Sequence, residues 1–325
     1  MENILLLDTA FGSFNKGDDI IMECTRKELA PLLENNFELN LPTHITSFHW
    51  YQVYKNSLSY RTYADCKWKF IGGSNVMVPN LLTHYAQWNI NIFNYQPFIG
   101  TIMVGVGAGA GAEQGSNWYT RYIYQHMLNR EYYHSARDER SKVYMESLGL
   151  KAINTGCVTM WMLTPEHCAQ IPTQKAEKVV FTITAGCFDE HDQQMLDVLL
   201  RNYKEVYFWP QGIDDYAKFK EMKGADKVHV LQATKDAYDR YLTDNDTDYV
   251  GTRLHGGVYA MRHKRRAIII AIDERARAIN ECNNLNCIEK NDIEELEKLI
   301  KTEIITDVHM PFEKINEWKN QFILI

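Results

Sequence analysis

The chain has no apolar run long enough to cross a membrane, no Cys-x-x-Cys pair, no excess of basic residues and no internal repeat or low-complexity tract. Each absence removes a class of protein. A membrane span needs about twenty mostly apolar residues, and the opening "MENILLLDTAFGSFN" has an apolar run of only "ILLL" before Asp8 and no cleavage signature, so neither a span nor a signal peptide is expected. The seven cysteines (24, 66, 157, 168, 187, 282 and 287) are odd in number, and the nearest pair, Cys282 and Cys287, fits no common zinc spacing. No metal site is expected, and reduced, mostly buried thiols in a cytoplasmic protein are the reading. A net charge of −7 argues against nucleic acid as a partner, since its binders carry a basic face. A local basic patch for an anionic small molecule is still open.

What is present is a 325-residue alternation of short apolar runs with amphipathic stretches, at 45% apolar and 24% charged residues. "NILLLD" (3–8), "WKFIGG" (68–73), "TIMVGVG" (101–107) and the short "YYHSA" (132–136) read as strands, and 18–33 and "RDERSKVYMESLG" (137–149) as helices. From Lys178 the pattern becomes regular: "VVFTITA", "EVYFWP", "VHVL", "DYVGT" and "AIIIAI" are strands separated by helix-length segments, which predicts βα units and a parallel sheet. The region 41–67, rich in Tyr, Ser and Thr, reads as a long loop with short helices. The fold class expected is α/β, two Rossmann-like domains facing across a cleft. The break lies in "TPEHCAQIPTQKAEK" (164–178), giving a first domain over 1–165 and a second over 178–310. The closing segment, 311–325, carries an amphipathic helix starting at Pro311, able to return onto the first domain.

In open α/β sheets, ligands bind outside the carboxyl ends of the strands, so strand-to-helix junctions carry the weight. "FNKGDD" (14–19) follows the first strand. Asp18 or Asp19 can cap the next helix, but a plain cap needs neither Asn15 nor Gly17. "FIGGSN" brings Gly72 and Gly73, a pair that lets backbone approach a ligand or another segment. "VGVGAGAGAEQGSN" (104–117) fits the loose dinucleotide fingerprint, yet it lies mid-domain with no acid ending the next strand. It is expected to be a flexible or cleft-lining loop. In "HSARDERS" (134–141), Asp138 reads equally as an N-cap, while Arg137 at a helix N-terminus is unfavourable unless it faces an anion.

The strongest junction is "DYVGTRLHGGVYAMRH" (248–263). Arg253 offers a rigid fork of donors for a carboxylate or phosphate. Gly256 and Gly257 are expected to expose N–H groups at a helix N-terminus, and His255 can give a proton near neutral pH. The competing reading pairs Arg253 with an acid and uses His255 as a cap. The run "RHKRR" (262–266) reads as a solvated helix end. Arg275 and Arg277 follow the last of these strands, at the same edge as Arg253 if the sheet is parallel, and one of them can close the anion pocket.

Taken together, "N-x-G-D", "GG", "S-x-R-D-x-x-S" and "G-x-R-x-H-G" resemble the polysaccharide pyruvyl transferase family from about Leu5 to Arg277. The resemblance implies a GT-B-like fold and transfer of the pyruvyl group of phosphoenolpyruvate to two hydroxyls of one sugar, forming a cyclic ketal. It implies that Arg253, Leu254 and His255 hold the donor, that Arg137 does likewise, and that Asn15, Gly17 and Asp18 form the family's first-turn motif. The chain departs in two places: "GGS" stands where many relatives carry a third glycine, and Arg275 where a lysine is common.

The chemistry fits these residues. Phosphoenolpyruvate carries a phosphate and a carboxylate, for which arginines are the natural clamp. An acid and a base are needed. His255 is the candidate to protonate the methylene carbon or the leaving phosphate, and Asp18 or Asp138 to take the hydroxyl proton. Substrate contacts are expected from Asn15, Gly17, Gly72, Gly73, Arg137, Arg253, Leu254, Gly256, Gly257 and Arg275. No cofactor is required beyond phosphoenolpyruvate as donor substrate. Trp50, Tyr51, Tyr54, Trp88 and Trp118 can present faces to sugar rings, or pack in the core. A lipid-linked acceptor would need only peripheral membrane contact, for which "RHKRR" is the candidate. Two alternatives remain: a GT-B-type glycosyltransferase using a nucleotide-sugar donor, and a non-catalytic carbohydrate-binding protein.

Overall fold

Ile4, Leu5, Leu6 and Leu7 have no exposed surface, which is what a central strand of a parallel sheet, covered on both faces, requires. They form β1 (Asn3–Asp8), which pairs in parallel with β2 (Phe37–Pro42) and β3 (Trp68–Gly72); β4 (Thr101–Val104) completes a sheet of order β2-β1-β3-β4. A parallel pair, β5 (His134–Ala136) and β6 (Ala152–Asn154), continues from it through the bridge between Val106 and Ala136. The sheet direction reverses between β1 and β3, so its topological switch point lies at Asp8 and Gly72.

The structure, a computed structural model, describes residues 1–83 and 87–323; the side chains of 274, 275 and 323 are not described, so the expected contribution of Arg275 lies outside the described residues. Contacts divide the chain into two units. One holds Met1–Ser13, Ile21–Trp161 and Pro311–Ile325, the other Phe14–Ile20 and Met162–Met310. Phe14–Ile20 falls with the second unit, although the sequence embeds it in the first. The cause is backbone pairing: Lys16 N–H donates to Gln211 O (2.8 Å), Ile213 N–H to Phe14 O (2.9 Å), and Asn15 bridges Gly212 in antiparallel sense. In the first unit the C-terminal helix, Phe312–Ile323, buries Trp318, whose Nε1–H donates to Tyr133 O (2.8 Å).

The second unit carries a six-stranded parallel sheet of order β12-β11-β10-β7-β8-β9. Its strands are β7 (Lys178–Thr182), β8 (Glu205–Phe208), β9 (His229–Val230), β10 (Thr247–Gly251), β11 (Ala267–Ala271) and β12 (Cys287–Glu289). The chain winds outward through β8 and β9, returns to the other side of β7 as β10, and winds outward again. The switch point therefore lies between β7 and β10, at Thr182 and Gly251. The segments leaving those two strand ends, 183–187 and 252–255, are where a ligand is expected.

Candidate functional site

Arg253 follows the end of β10 and starts the helix Leu254–Arg262. Its Nε donates to Ile183 O (3.1 Å) beyond β7 and to Asp215 Oδ2 (3.1 Å), and its Nη2 to Asp215 Oδ1 (2.5 Å). Asp215 has no exposed surface and also accepts Gly212 N–H (2.6 Å) and Ala185 N–H (3.0 Å). One edge of the guanidinium is thus locked by a buried carboxylate. Nη1 has no partner among the described residues, and the side chain keeps 18% of its surface. Arg253 is paired with an acid and still offers an edge to a second anion; Asp215, which fixes it, escaped the sequence reading.

The loop 14–18 is built onto this junction. Asn15 Oδ1 accepts Gly17 N–H (3.0 Å) and Gln211 Nε2–H (2.8 Å). A Cβ on Gly17 would lie 2.8 Å from Gln211 Nε2 and 3.3 Å from His255 Nδ1, so glycine is needed for the loop to sit against the histidine. His255 and Asp18 are both buried. The structure therefore gathers Asn15, Gly17, Arg253 and His255, places Asp18 in the adjoining helical turn, and adds Gln211 and Asp215. The two glycines after His255 do something other than expected. A Cβ on Gly257 would meet the Tyr249 ring at 2.8 Å and Ile269 at 2.9 Å, one on Gly256 Gln211 Oε1 at 2.9 Å, and Gly257 N–H already donates to Arg253 O (3.2 Å). They let the helix press onto β10 and β11, and of the two only Gly256 N–H belongs to the orphan first-turn donors. Leu254 is buried beside them.

In the first unit, Arg137 is buried over Gly107: a Cβ there would lie 2.4 Å from Arg137 Nη2 and 2.6 Å from Asn75 Oδ1. Asn75 Oδ1 is buried without a partner among the described residues. Arg137 Nε donates to Asp138 Oδ2 (3.3 Å), and Asp138 Oδ1 accepts Ser141 N–H (2.7 Å) as the N-cap of Glu139–Ser147. Burial alone would raise the Asp138 carboxyl, but the Arg137 guanidinium and the Ser141 hydrogen bonds outweigh it and hold it below the ordinary carboxylate range. Both oxygens are committed, one to the cap and one to Arg137. Gly72 and Gly73 stand at the first unit's switch point, where Cβ atoms would meet Thr25 Oγ1 at 2.5 Å and Ile21 Cγ2 at 2.1 Å. Their small size lets the helix Gly17–Leu33 approach β3.

Other expectations are corrected. The glycine-rich loop is not flexible over 105–109, where N–H groups of Gly105, Val106, Gly107, Ala108 and Gly109 donate to Ser135 Oγ, Ser135 O, Ser74 O, Ser141 Oγ and Met77 O, while its later part, 111–117, lines a cavity as the alternative reading has it. "RHKRR" is not a solvated basic end. Arg262 and Arg266 are buried, Arg265 donates to Leu242 O (2.9 Å), and Arg266 pairs with buried Asp248 at 2.7 Å. Arg277 pairs with Glu289 at 2.9 Å. Trp88 is a core residue, whereas Trp50, Tyr51, Tyr54 and Trp118 are exposed. Among the described residues there is no cluster of three or more metal-ligating side chains, and no helix long and apolar enough to cross a membrane.

A family model described as polysaccharide pyruvyl transferase matches residues 15–274. No curated protein sequence matches. Among solved structures, the UDP-GlcNAc 2-epimerase of Methanocaldococcus jannaschii, in complex with UDP-GlcNAc and UDP, is similar over 100% of this chain and 99% of its own, with a TM-score of 0.55 at 11% identity. The UDP-GlcNAc 2-epimerase of Neisseria meningitidis, bound to UDP-GlcNAc, is similar over 100% of both chains, with a TM-score of 0.50 at 11% identity. These likenesses give the fold, two Rossmann-like units of GT-B-like type, and no more.

Proposed function

The chain belongs to the polysaccharide pyruvyl transferase family, and from that premise we propose how its residues carry the transfer of the pyruvyl group of phosphoenolpyruvate onto two hydroxyls of a sugar. One proton goes to the methylene carbon of the donor, making it a methyl group. One sugar oxygen bonds to the adjacent carbon, the second replaces phosphate there, and the other hydroxyl proton leaves with the phosphate. The product is a cyclic ketal with a free carboxylate.

Arg253, locked on one side by Asp215, presents its Nη1 edge to the carboxylate or phosphate of the donor. His255 supplies the proton for the methylene carbon. Asp18, one residue beyond the glycine that packs on His255, takes a hydroxyl proton. Arg137 is the anion-binding arginine of the first unit. Asp138 orients it and is left out of proton transfer, because a carboxylate held below its ordinary range is a weak base.

The observation that carries this reading is the placement of Arg253 and His255 at the second unit's switch point, with Gly17 packed on the histidine. A ligand that binds only the native state stabilises it by about 2.7 kcal/mol at one hundred times its Kd. Phosphoenolpyruvate is expected to raise the melting temperature of the wild type and to leave Arg253→Ala unmoved, with phosphate released only when a sugar acceptor is present. Stabilisation by UDP-GlcNAc and not by phosphoenolpyruvate would replace this reading with glycosyl transfer.

A further inference from the structure

We propose that a cavity of about 340 Å³ in the first unit, between the segment after β3 and the start of the helix Trp118–Met127, is a subsite for an uncharged sugar residue of the acceptor. The inference rests on the reading above, which makes the acceptor a glycan. Asn80, Gly111, Gln114, Gly115, Ser116 and Asn117 line the cavity, and among the described residues no charged side chain does. An anion site needs charge or an excess of donors; a sugar hydroxyl, both donor and acceptor, needs a mixture.

The mixture is there. Asn80 Oδ1 is occupied by Asn117 Nδ2–H (2.7 Å) and Leu82 N–H (3.0 Å), while its Nδ2 has no partner among the described residues. The Gln114 side-chain amide has none among them either, and offers both a donor and an acceptor. Tyr144 O–H donates to Val78 O (3.0 Å), so in the 2.5 Å bond between Ser116 and Tyr144 the serine must be the donor. Its lone pairs remain to accept. Gly111 and Gly115 hold left-handed backbone (φ +81° and +80°), and a Cβ on Gly115 would meet nothing within 4 Å, so the wall beside it is open. The same structural parts serve Arg137: the segment 105–117 carries Gly107 beneath its guanidinium, and Tyr144 stands on the helix capped by Asp138.

The test uses the full-length wild type, Gln114→Ala and Gln114→Glu on an array of neutral and acidic oligosaccharides, with a phosphoenolpyruvate thermal shift in parallel. The Gln114 side chain is exposed, so both variants should fold. The wild type is expected to bind neutral oligosaccharides, each variant at least tenfold more weakly, with the phosphoenolpyruvate shift unchanged in all three. Undiminished binding by both variants, a preference for acidic glycans, or no glycan bound by a wild type that phosphoenolpyruvate stabilises would overturn the subsite. Absence of that thermal shift in the wild type counts against the donor reading instead, and the array still decides the cavity.

Discussion

A single carboxylate decides which edge of the Arg253 guanidinium stays open. Asp215 receives two Arg253 nitrogens and two backbone N–H groups from segments beyond β7 and β8, so it aligns the guanidinium with the sheet's switch point before any ligand arrives. Preorganisation of this kind lowers the cost of binding rather than the barrier of the chemical step. In Asp215→Asn the charge is lost, and the amide nitrogen must face one of the guanidinium donors. The KM for phosphoenolpyruvate is expected to rise at least tenfold, with kcat changed less, in steady-state assays of phosphate release. Breaking a fully buried ion pair costs about 3–5 kcal/mol; Arg253 keeps some exposure, so the stability loss should fall below that range. A kcat that falls while KM stays constant would remove Asp215 from the positioning role. Nothing in "WPQGIDD" announces this residue. It reads as a strand end followed by a helix cap, and its partner lies 38 positions away.

Among the elements, two glycines that look alike in sequence make opposite demands. Gly257 lets the helix Leu254–Arg262 rest on Tyr249 and Ile269, both core residues that cannot withdraw. Gly257→Ala is expected to cost about 1–3 kcal/mol by overpacking, seen as a lower melting temperature. Gly107 instead makes room for the end of a long side chain, the Arg137 guanidinium. Gly107→Ala should displace that group, lowering kcat/KM strongly with a smaller melting shift than Gly257→Ala; full activity in this variant would separate Arg137 from catalysis. The sequence marks both positions as glycine and cannot say which demand applies, because the opposing atoms come from distant strands. What was legible is what local pattern controls. "NILLLD" gives β1 over the same residues, "AIIIAI" gives β11, and "RDERSKVYMESLG" gives the helix capped by Asp138, with Gly149 left-handed just beyond it. The strand "FELNLP", half exposed and without clean alternation, left no signal. "RHKRR" misled because charge composition says nothing about Asp248, which neutralises Arg266 inside the fold.

For the molecule as a whole, alternation of strands and helices in the sequence implies parallel sheets, but their order emerges only from packing. That order brings β5 alongside β4 and encloses His134 completely. Its Nδ1 accepts Met103 N–H from β4 (3.1 Å) and its Nε2–H donates to Asn129 O (2.7 Å). Both ring nitrogens are satisfied by the neutral tautomer, and a proton on Nδ1 would break the tie to β4. Burial, only partly opposed by the Asn129 carbonyl, pushes the pKa down from 6.5 to about 4. Because the folded value lies below the unfolded one, protonation favours the unfolded chain. The stabilisation is complete above pH 6.5 and is lost as pH falls towards 4, with roughly 3 kcal/mol at stake for a shift of this size. Urea unfolding between pH 7.5 and 5 should therefore show stability falling below pH 6.5, in a range where most carboxylates stay ionised. His134→Asn keeps an acceptor for Met103 but cannot titrate. It should be less stable at pH 7.5 and nearly flat across the same range, whereas equal slopes for the two proteins would assign the pH dependence to another group.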